Sequence, residues 1–272
     1  EKINPFVSTN LSLEARSILI YDIANKKVIS SKNPDEVLPL ASITKILTAV
    51  TAVELLPKNT VVTINKEFLN EEGDSGLLNN EKWKLTALIN FSLMVSSNDG
   101  VAAIASAAGA FSSISEDPNA LSRDEFISKM NAEAQKIGMK NSRFYNESGL
   151  DINKEKSGGY GNTTDLATLF AYTLKTHPEV LSATRYDNLS FTSLNNIKHN
   201  AENTDIIINS IPGILASKTG YTESAGGNLA VVFDAGLGRP VVAVVLGSSY
   251  DGRFTDIQTL VEKTFEYIAQ GN

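Results

Sequence analysis

The chain has 272 residues, 42% of them hydrophobic and 20% charged, enough for a substantial core in one large globular domain or two small ones. Its formal net charge of -7 makes nucleic acid an unexpected partner, because nonspecific affinity for phosphate backbones comes mainly from Lys and Arg. The absence of cysteine excludes disulfides, thiolate metal sites and cysteine nucleophiles.

The start, Glu1-Lys2-Ile3-Asn4-Pro5, lacks an initiator Met and the basic-then-apolar pattern of an export signal. No apolar run approaches the ~20 residues that span a bilayer. Any signal or membrane attachment is therefore expected in segments outside this chain. Arg16 to Asp22 and Lys27 to Ser31 are short extended runs around Ala24-Asn25-Lys26 and predict a hairpin. Ser42 to Leu56 carries apolar residues all round, between Pro39 and Pro57, and predicts a largely buried helix. Helical spacing recurs over Leu85 to Val95, Asp99 to Gly109, Arg123 to Ile137 and Thr164 to Lys175, the last with Thr163 or Thr164 as N-cap. Four β-branched runs follow, Ile206 to Ile208, Ile214 to Lys218, Asn228 to Asp234 and Val241 to Gly247, with turns such as Gly236-Leu237-Gly238. An amphipathic helix over Thr255 to Ile268 closes the chain. Strands at both ends with helices between predict one antiparallel sheet backed by terminal helices, with a helical region inserted and the site where the two meet.

Three short motifs carry chemistry. In Ser42-Ile43-Thr44-Lys45 a three-residue helical step puts a hydroxyl and an amine one turn apart on one face. Burial and a second cation would favour the neutral amine that a base must be. The plain alternative is a helix cap with a solvated lysine, against which stand the flanking Ile46-Leu47-Thr48-Ala49-Val50. Ser96-Ser97-Asn98 lies between two helical stretches, where a hydroxyl and a carboxamide can face one cleft. An ordinary N-cap is its other reading, and S-x-N recurs at Ser8, Ser31 and Ser193. Lys218-Thr219-Gly220 ends a predicted strand, where Lys and Thr can hold a carboxylate and Gly permits close approach of a substrate backbone.

Taken together and in this order, the motifs are those of penicillin-binding proteins and class A β-lactamases. The chain resembles, almost end to end, the D-alanyl-D-alanine carboxypeptidases of the low-molecular-mass penicillin-binding group. Further similar segments are Pro39-Leu-Ala-Ser-Ile-Thr-Lys, Asn146-Glu-Ser-Gly-Leu-Asp151, Thr163-Thr-Asp-Leu-Ala167, Asn203-Thr204, and Lys218-Thr-Gly-Tyr-Thr222 followed by Ala225-Gly-Gly-Asn-Leu229. The resemblance implies the α/β fold of serine β-lactamases and D,D-peptidases, a central antiparallel sheet flanked by helices, as a single domain over 1–272. The sheet subdomain is expected from about 1–64 and 177–272, and the helical subdomain from about 65–176. It implies that Ser42 attacks the carbonyl of the penultimate D-Ala of a peptidoglycan stem peptide, with Lys45 taking its proton. Ser96 and Lys218 would relay a proton to the leaving amine. Asn98 would hold the peptide amide, Thr219 and Lys218 the terminal carboxylate, and the backbone N–H groups of Ser42 and Tyr221 the oxyanion, while Gly220 would let the substrate backbone lie against the strand edge. Arg253 resembles an arginine that supports carboxylate recognition, although a solvated helix-start arginine reads equally well. No cofactor or metal is implied, β-lactam antibiotics would be covalent inhibitors, and the location would be extracytoplasmic, in periplasm or at the cell surface.

Rival readings are weaker. A class A β-lactamase resembling this fold would carry E-x-x-x-N, and no glutamate between Ser96 and Lys218 has Asn four residues later. A noncatalytic β-lactam sensor would keep the same motifs and remains open. A Ser-His-Asp hydrolase has only His177 and His199 to draw on, both expected at the surface, and H-E-x-x-H is absent.

Overall fold

The computed structural model describes residues 11–112, 122–236 and 238–271; the opening residues, the S-x-N at Ser8 and Leu237 of the predicted glycine turn lie outside them. Both chain ends build the main sheet. Strands β1 (Ser17–Asp22), β2 (Lys27–Lys32), β10 (Ile214–Thr222), β11 (Gly226–Asp234) and β12 (Pro240–Ser248) form one antiparallel sheet in the order β10-β11-β12-β1-β2. The alternation of strand side chains divides the core in two. Ile18, Ile20, Leu229, Val231, Val241, Ala243 and Val245 pack under Phe254, Ile257, Leu260 and Val261 of the last helix, α7 (Gly252–Ala269). Leu19, Ala230, Val232, Val242, Val244 and Leu246 face the other way, into the larger core shared with the central helices.

That larger core is built around α1 (Thr44–Leu55), whose residues from Thr44 to Ala52 are all buried. Around it stand α2 (Leu85–Met94), α3 (Asn98–Ser112), α4 (Ser122–Ile137), α5 (Thr163–Thr176) and the short α6 (Pro178–Leu181). Helix α5 lies against β1 and β12 as well as α4. Its N-cap is Asn162, whose Oδ1 accepts from the Asp165 N–H at 2.8 Å, one residue before the predicted threonines. Small antiparallel pairings complete the molecule: β3 (Leu38–Pro39) and β6 (Arg143–Phe144) on either side of β7 (Gly159–Gly161), β4 (Val61–Thr63) with β5 (Lys82–Lys84), and β8 (Asn188–Thr192) with β9 (Lys198–Glu202). Among the described residues no helix is long and apolar enough to cross a membrane.

Three expectations need correction. Ile206 to Ile208 is no strand; the chain turns there into a 3-10 turn at Ile208–Ser210, and Ile206 stays 76% exposed while Ile208 is buried. Lys218-Thr219-Gly220 lies inside β10, which continues to Thr222. His199 is a core residue, not a surface one. It is 9% exposed, 2.7 Å from Glu81 Oε1, and packs against Trp83 and Phe91, so its imidazole fixes the β8–β9 hairpin to the helical side. His177, bonded to Glu54, is also partly covered.

Candidate active site

The turn before α1 sets the position of Ser42. Ala41 holds the left-handed conformation, φ 48°, which a residue with a Cβ adopts only when its surroundings impose it. Those surroundings are dense. The Leu40 N–H donates to Gly159 O at 2.9 Å, Asn228 Nδ2 donates to Pro39 O at 3.0 Å, and Gly149 lies so close below that a Cβ there would be 1.9 Å from Ala41 O. Ser42 therefore sits in a 3-10 turn over Ala41–Ile43, and the α-helix begins at Thr44. The i, i+3 relation survives this change of helix type, with Lys45 Nζ 2.7 Å from Ser42 Oγ and 3.0 Å from the Ser148 carbonyl oxygen.

Lys45 is fully buried. Burial pushes its amine down to about 7, against an opposing pull from Glu147 and Glu71. Glu147 is itself buried and bonded to Arg123, whose Nη1 lies 2.9 Å from Glu71 Oε1. Its carboxyl is pushed up, chiefly by burial, while Arg123 draws it the other way. The Thr48 hydroxyl donates to Glu147 O at 2.7 Å, so the segment Glu147-Ser148-Gly149 is stitched along α1 behind the serine.

Ser96 lies at the junction of α2 and α3, again with φ positive, at 60°. The capping role falls to its neighbour: Ser97 Oγ accepts from the Gly100 N–H at 2.9 Å and meets Ser75 Oγ at 2.7 Å. Ser96 is thereby left to face Lys218, whose Nζ is 3.0 Å from Ser96 Oγ and 2.9 Å from Thr219 O. Asn98 donates through Nδ2 to Glu72 O at 2.6 Å, while its buried Oδ1 has no partner. An acceptor left in this state suits an arriving N–H.

Strand β10 is the open edge of the sheet. At Gly220 a Cβ would fall 2.9 Å from Leu40 O and 3.2 Å from Ser42 N, so only glycine lets the strand pass the backbone of the nucleophile this closely. Arg253, at the start of α7, donates from Nη1 to Gly220 O at 3.1 Å and lies against Tyr250. Tyr221 is 47% exposed and meets Tyr250 edge-on. Thr219 Oγ1 is 2.5 Å from Thr204 Oγ1. Lys218 is pushed well below its ordinary value by burial first, then by Lys45 and Arg253, with Asp205 opposing. Asp205, accepting from Ser217 Oγ at 2.5 Å, is pushed up by burial.

Thus Ser42 meets Lys45, Ser96 meets Lys218, Gly220 passes the Ser42 backbone and Arg253 bonds the Gly220 carbonyl, while Asn98 holds the Glu72 carbonyl and Tyr221 is exposed at the end of β10. Gly149, Ser148, Glu147, Thr204 and Asp205 had no role in the motif reading. Glu147, Ser148, Gly149 and Thr204 fall in Asn146 to Asp151 and Asn203-Thr204, segments that resemble the family's, and that resemblance is the available signal; for Asp205 the sequence carries none. Among the described residues no group of three or more His, Asp or Glu could hold a metal ion. A nucleophile beside a buried amine of lowered proton affinity, with donors on a facing edge, is suited to acyl transfer.

Comparison with known proteins agrees. Residues 4–250 match the family described as D-alanyl-D-alanine carboxypeptidase. The chain is 29% identical to a D-alanyl-D-alanine endopeptidase of Haemophilus influenzae, over 89% of this chain and 79% of the relative. It is also 29% identical to the D-alanyl-D-alanine carboxypeptidase DacF of Bacillus subtilis, over 89% of this chain but 59% of that protein's length. Among solved structures, penicillin-binding protein D2 of Listeria monocytogenes in its ampicillin-bound form superposes with a TM-score of 0.76 at 28% identity, covering 93% of this chain and 98% of that one. The carboxypeptidase DacD of Francisella tularensis, at 21% identity and a TM-score of 0.80 over 93% of this chain and 71% of its own, shares the fold. The chain belongs to the D-alanyl-D-alanine carboxypeptidase family.

Proposed function

We propose that the protein is a serine peptidase that removes the terminal D-alanine from peptidoglycan stem peptides through an acyl-Ser42 intermediate. The observation that carries this is the 2.7 Å approach of Lys45 Nζ to Ser42 Oγ in a buried setting that lowers the amine to about 7. Near neutral pH about half of the Lys45 amines are then neutral, and such an amine takes the Ser42 proton as Oγ adds to the carbonyl of the penultimate D-Ala. Negative charge develops on the carbonyl oxygen, where the backbone N–H groups of Ser42 and Tyr221 receive it. The C–N bond breaks as the leaving D-alanine nitrogen gains a proton by way of Ser96 and Lys218, and water then hydrolyses the ester.

Recognition follows from the same residues. Thr219 and Lys218 take the terminal carboxylate, Arg253 steadies the edge through the Gly220 carbonyl, and the Asn98 carbonyl oxygen accepts from the peptide amide. The incoming carboxylate adds a counter-charge beside the buried Lys218, opposing the downward push of burial on its amine. The sheet built from both chain ends and the inserted helices form the two walls of the cleft in one catalytic domain. Substrate location places the reaction outside the cytoplasmic membrane, in periplasm or at the cell surface. The ampicillin-bound and cefotaxime-bound forms of the Listeria relative support β-lactams as acylating inhibitors here.

Intact-mass measurement after incubation with a penicillin tests the proposal. One adduct per chain on Ser42, absent in Ser42→Ala, is expected, and an unmodified wild-type protein would sink it. Release of D-alanine from a D-Ala-D-Ala peptide separates turnover from sensing, since a sensor would be acylated without product.

A further inference from the structure

Glu147 is a buried carboxylate that the acyl-transfer steps leave unused. Its side chain is 2% exposed, and it sits in the loop that holds the base. The carbonyl oxygen of the next residue, Ser148, accepts from Lys45 Nζ at 3.0 Å, and that of Glu147 accepts from the Thr48 hydroxyl at 2.7 Å. The Glu147 carboxylate accepts from Arg123, in the first turn of α4, and Arg123 Nη1 also reaches Glu71 Oε1 at 2.9 Å. Two carboxylates thus share one guanidinium behind Lys45, and one negative charge is left over.

These charges are screened unequally. The Arg123 side chain is 42% exposed and that of Glu71 23%, so water weakens their fields, whereas the field of the enclosed Glu147 carboxylate passes through protein. Lys45 lies within its reach but not in contact. Among the described residues Lys45 is in no ion pair, which leaves its amine free to meet Ser42 Oγ at 2.7 Å. Burial pushes that amine down to about 7, and Glu147 is the strongest opposing influence, ahead of Glu71. From β10, Lys218 faces the amine as a like charge. Burial also pushes the Glu147 carboxyl up while Arg123 draws it back, so the clamp serves to keep the negative charge in place. A tether between loop and helix needs none of this, since apolar packing pins a loop at least as well as a buried ion pair does.

We infer that Glu147, clamped by Arg123 and assisted by Glu71, is a positioning residue for acylation that acts through Lys45, supplying the negative field in which the buried amine can hold the proton taken from Ser42. The inference rests on the proposed function and deepens it. Without that field the charged amine loses its counter-charge, so Lys45 sheds its proton at lower pH and is a weaker base.

The test is the pH profile of penicillin acylation in wild type, Glu147→Gln and Glu71→Gln. Glu147→Gln keeps the volume and an acceptor for Arg123. The pH at which its rate levels off should drop by about one unit, the low end for an opposite charge near a titrating group, and its plateau should fall about threefold, as expected for a base weaker by that amount. The two profiles should therefore cross, the variant being slower at pH 8 and about threefold faster at pH 5.5. Loss of structure alone lowers the rate at every pH and cannot make them cross. Glu71→Gln, at the partly exposed end, should move the profile the same way by a smaller step, and it decides alone if Glu147→Gln does not fold. A levelling pH that stays put or rises in the deciding variant overturns the role of Glu147 and leaves the acyl-Ser42 chemistry intact. A wild type that penicillin fails to acylate at any pH overturns the proposed function and this role with it.

Discussion

Replacing Lys45 by Met should make the protein inactive and, at neutral pH, more stable. In the unfolded chain the amine keeps its proton up to 10.5, while in the fold it loses it near 7. Between those values the unfolded state binds more protons, so native stability rises with pH across that window. Below about 7 the burial penalty is present in full. One pK unit corresponds to about 1.4 kcal/mol, so burying this amine costs about 4 kcal/mol at pH 7, a cost that has fallen to about 1 kcal/mol by pH 10. Met has nearly the same length and no charge, but it abandons the Ser148 carbonyl that Lys45 reaches at 3.0 Å, at a cost of about 1–3 kcal/mol. Lys45→Met is therefore expected to be about 2 kcal/mol more stable than wild type at pH 7 and about 1 kcal/mol less stable at pH 10. The pH dependence of groups remote from Lys45 cancels in the difference, whereas Lys218, which Lys45 helps push down, is partly relieved in the variant. Urea unfolding followed by circular dichroism at pH 7, 8, 9 and 10 measures it. A difference that stays constant over this range would refute the claim that Lys45 is a buried amine neutral near pH 7. The same variant should acylate with penicillin about 10²–10⁴ times more slowly, the usual worth of a general base.

Three further outcomes are expected. The penicillin acylation rate of wild type should climb about tenfold per pH unit below 7 and level off above it; a flat profile from pH 5.5 to 8 would count against Lys45 as the base. Gly149→Ala places a Cβ 1.9 Å from Ala41 O at a φ of +79°, so a loss of more than about 3 kcal/mol and of acylation is expected; a variant that melts and reacts like wild type would show that the turn before Ser42 does not depend on this contact. Arg123→Met strands the buried Glu147 carboxylate, at about 3 kcal/mol. Since burial raises the Glu147 carboxyl above its ordinary value, that loss should shrink as pH falls towards 5, because the group can then take up a proton in the fold; equal losses at pH 5 and pH 8 would rule this out.

The strands of the main sheet were legible because β-branched residues cluster there, and α1 because apolar residues surround it on all sides between two prolines. Ile206 to Ile208 misled for the same reason. Its isoleucines are plugs and rim residues of a turn, chosen by packing rather than by strand propensity. The β8–β9 hairpin went unread because its outward positions are polar and its inward ones include His199, whose burial depends on Glu81 and Trp83 more than a hundred residues earlier.

For the candidate site, residue types and short spacings stood in the sequence, since a hydroxyl and an amine one helical turn apart are a local arrangement. That arrangement determined which chemistry to look for. Only the tertiary structure decided that Lys218 reaches Ser96, that Gly220 slides past the Ser42 backbone, and that Glu147, Ser148 and Gly149 support the helix start from a loop about a hundred residues away. The physical reason is that proton affinity and close approach are set by what surrounds a group in space. Burial and facing charge are sums over distant segments, and no window of sequence contains them.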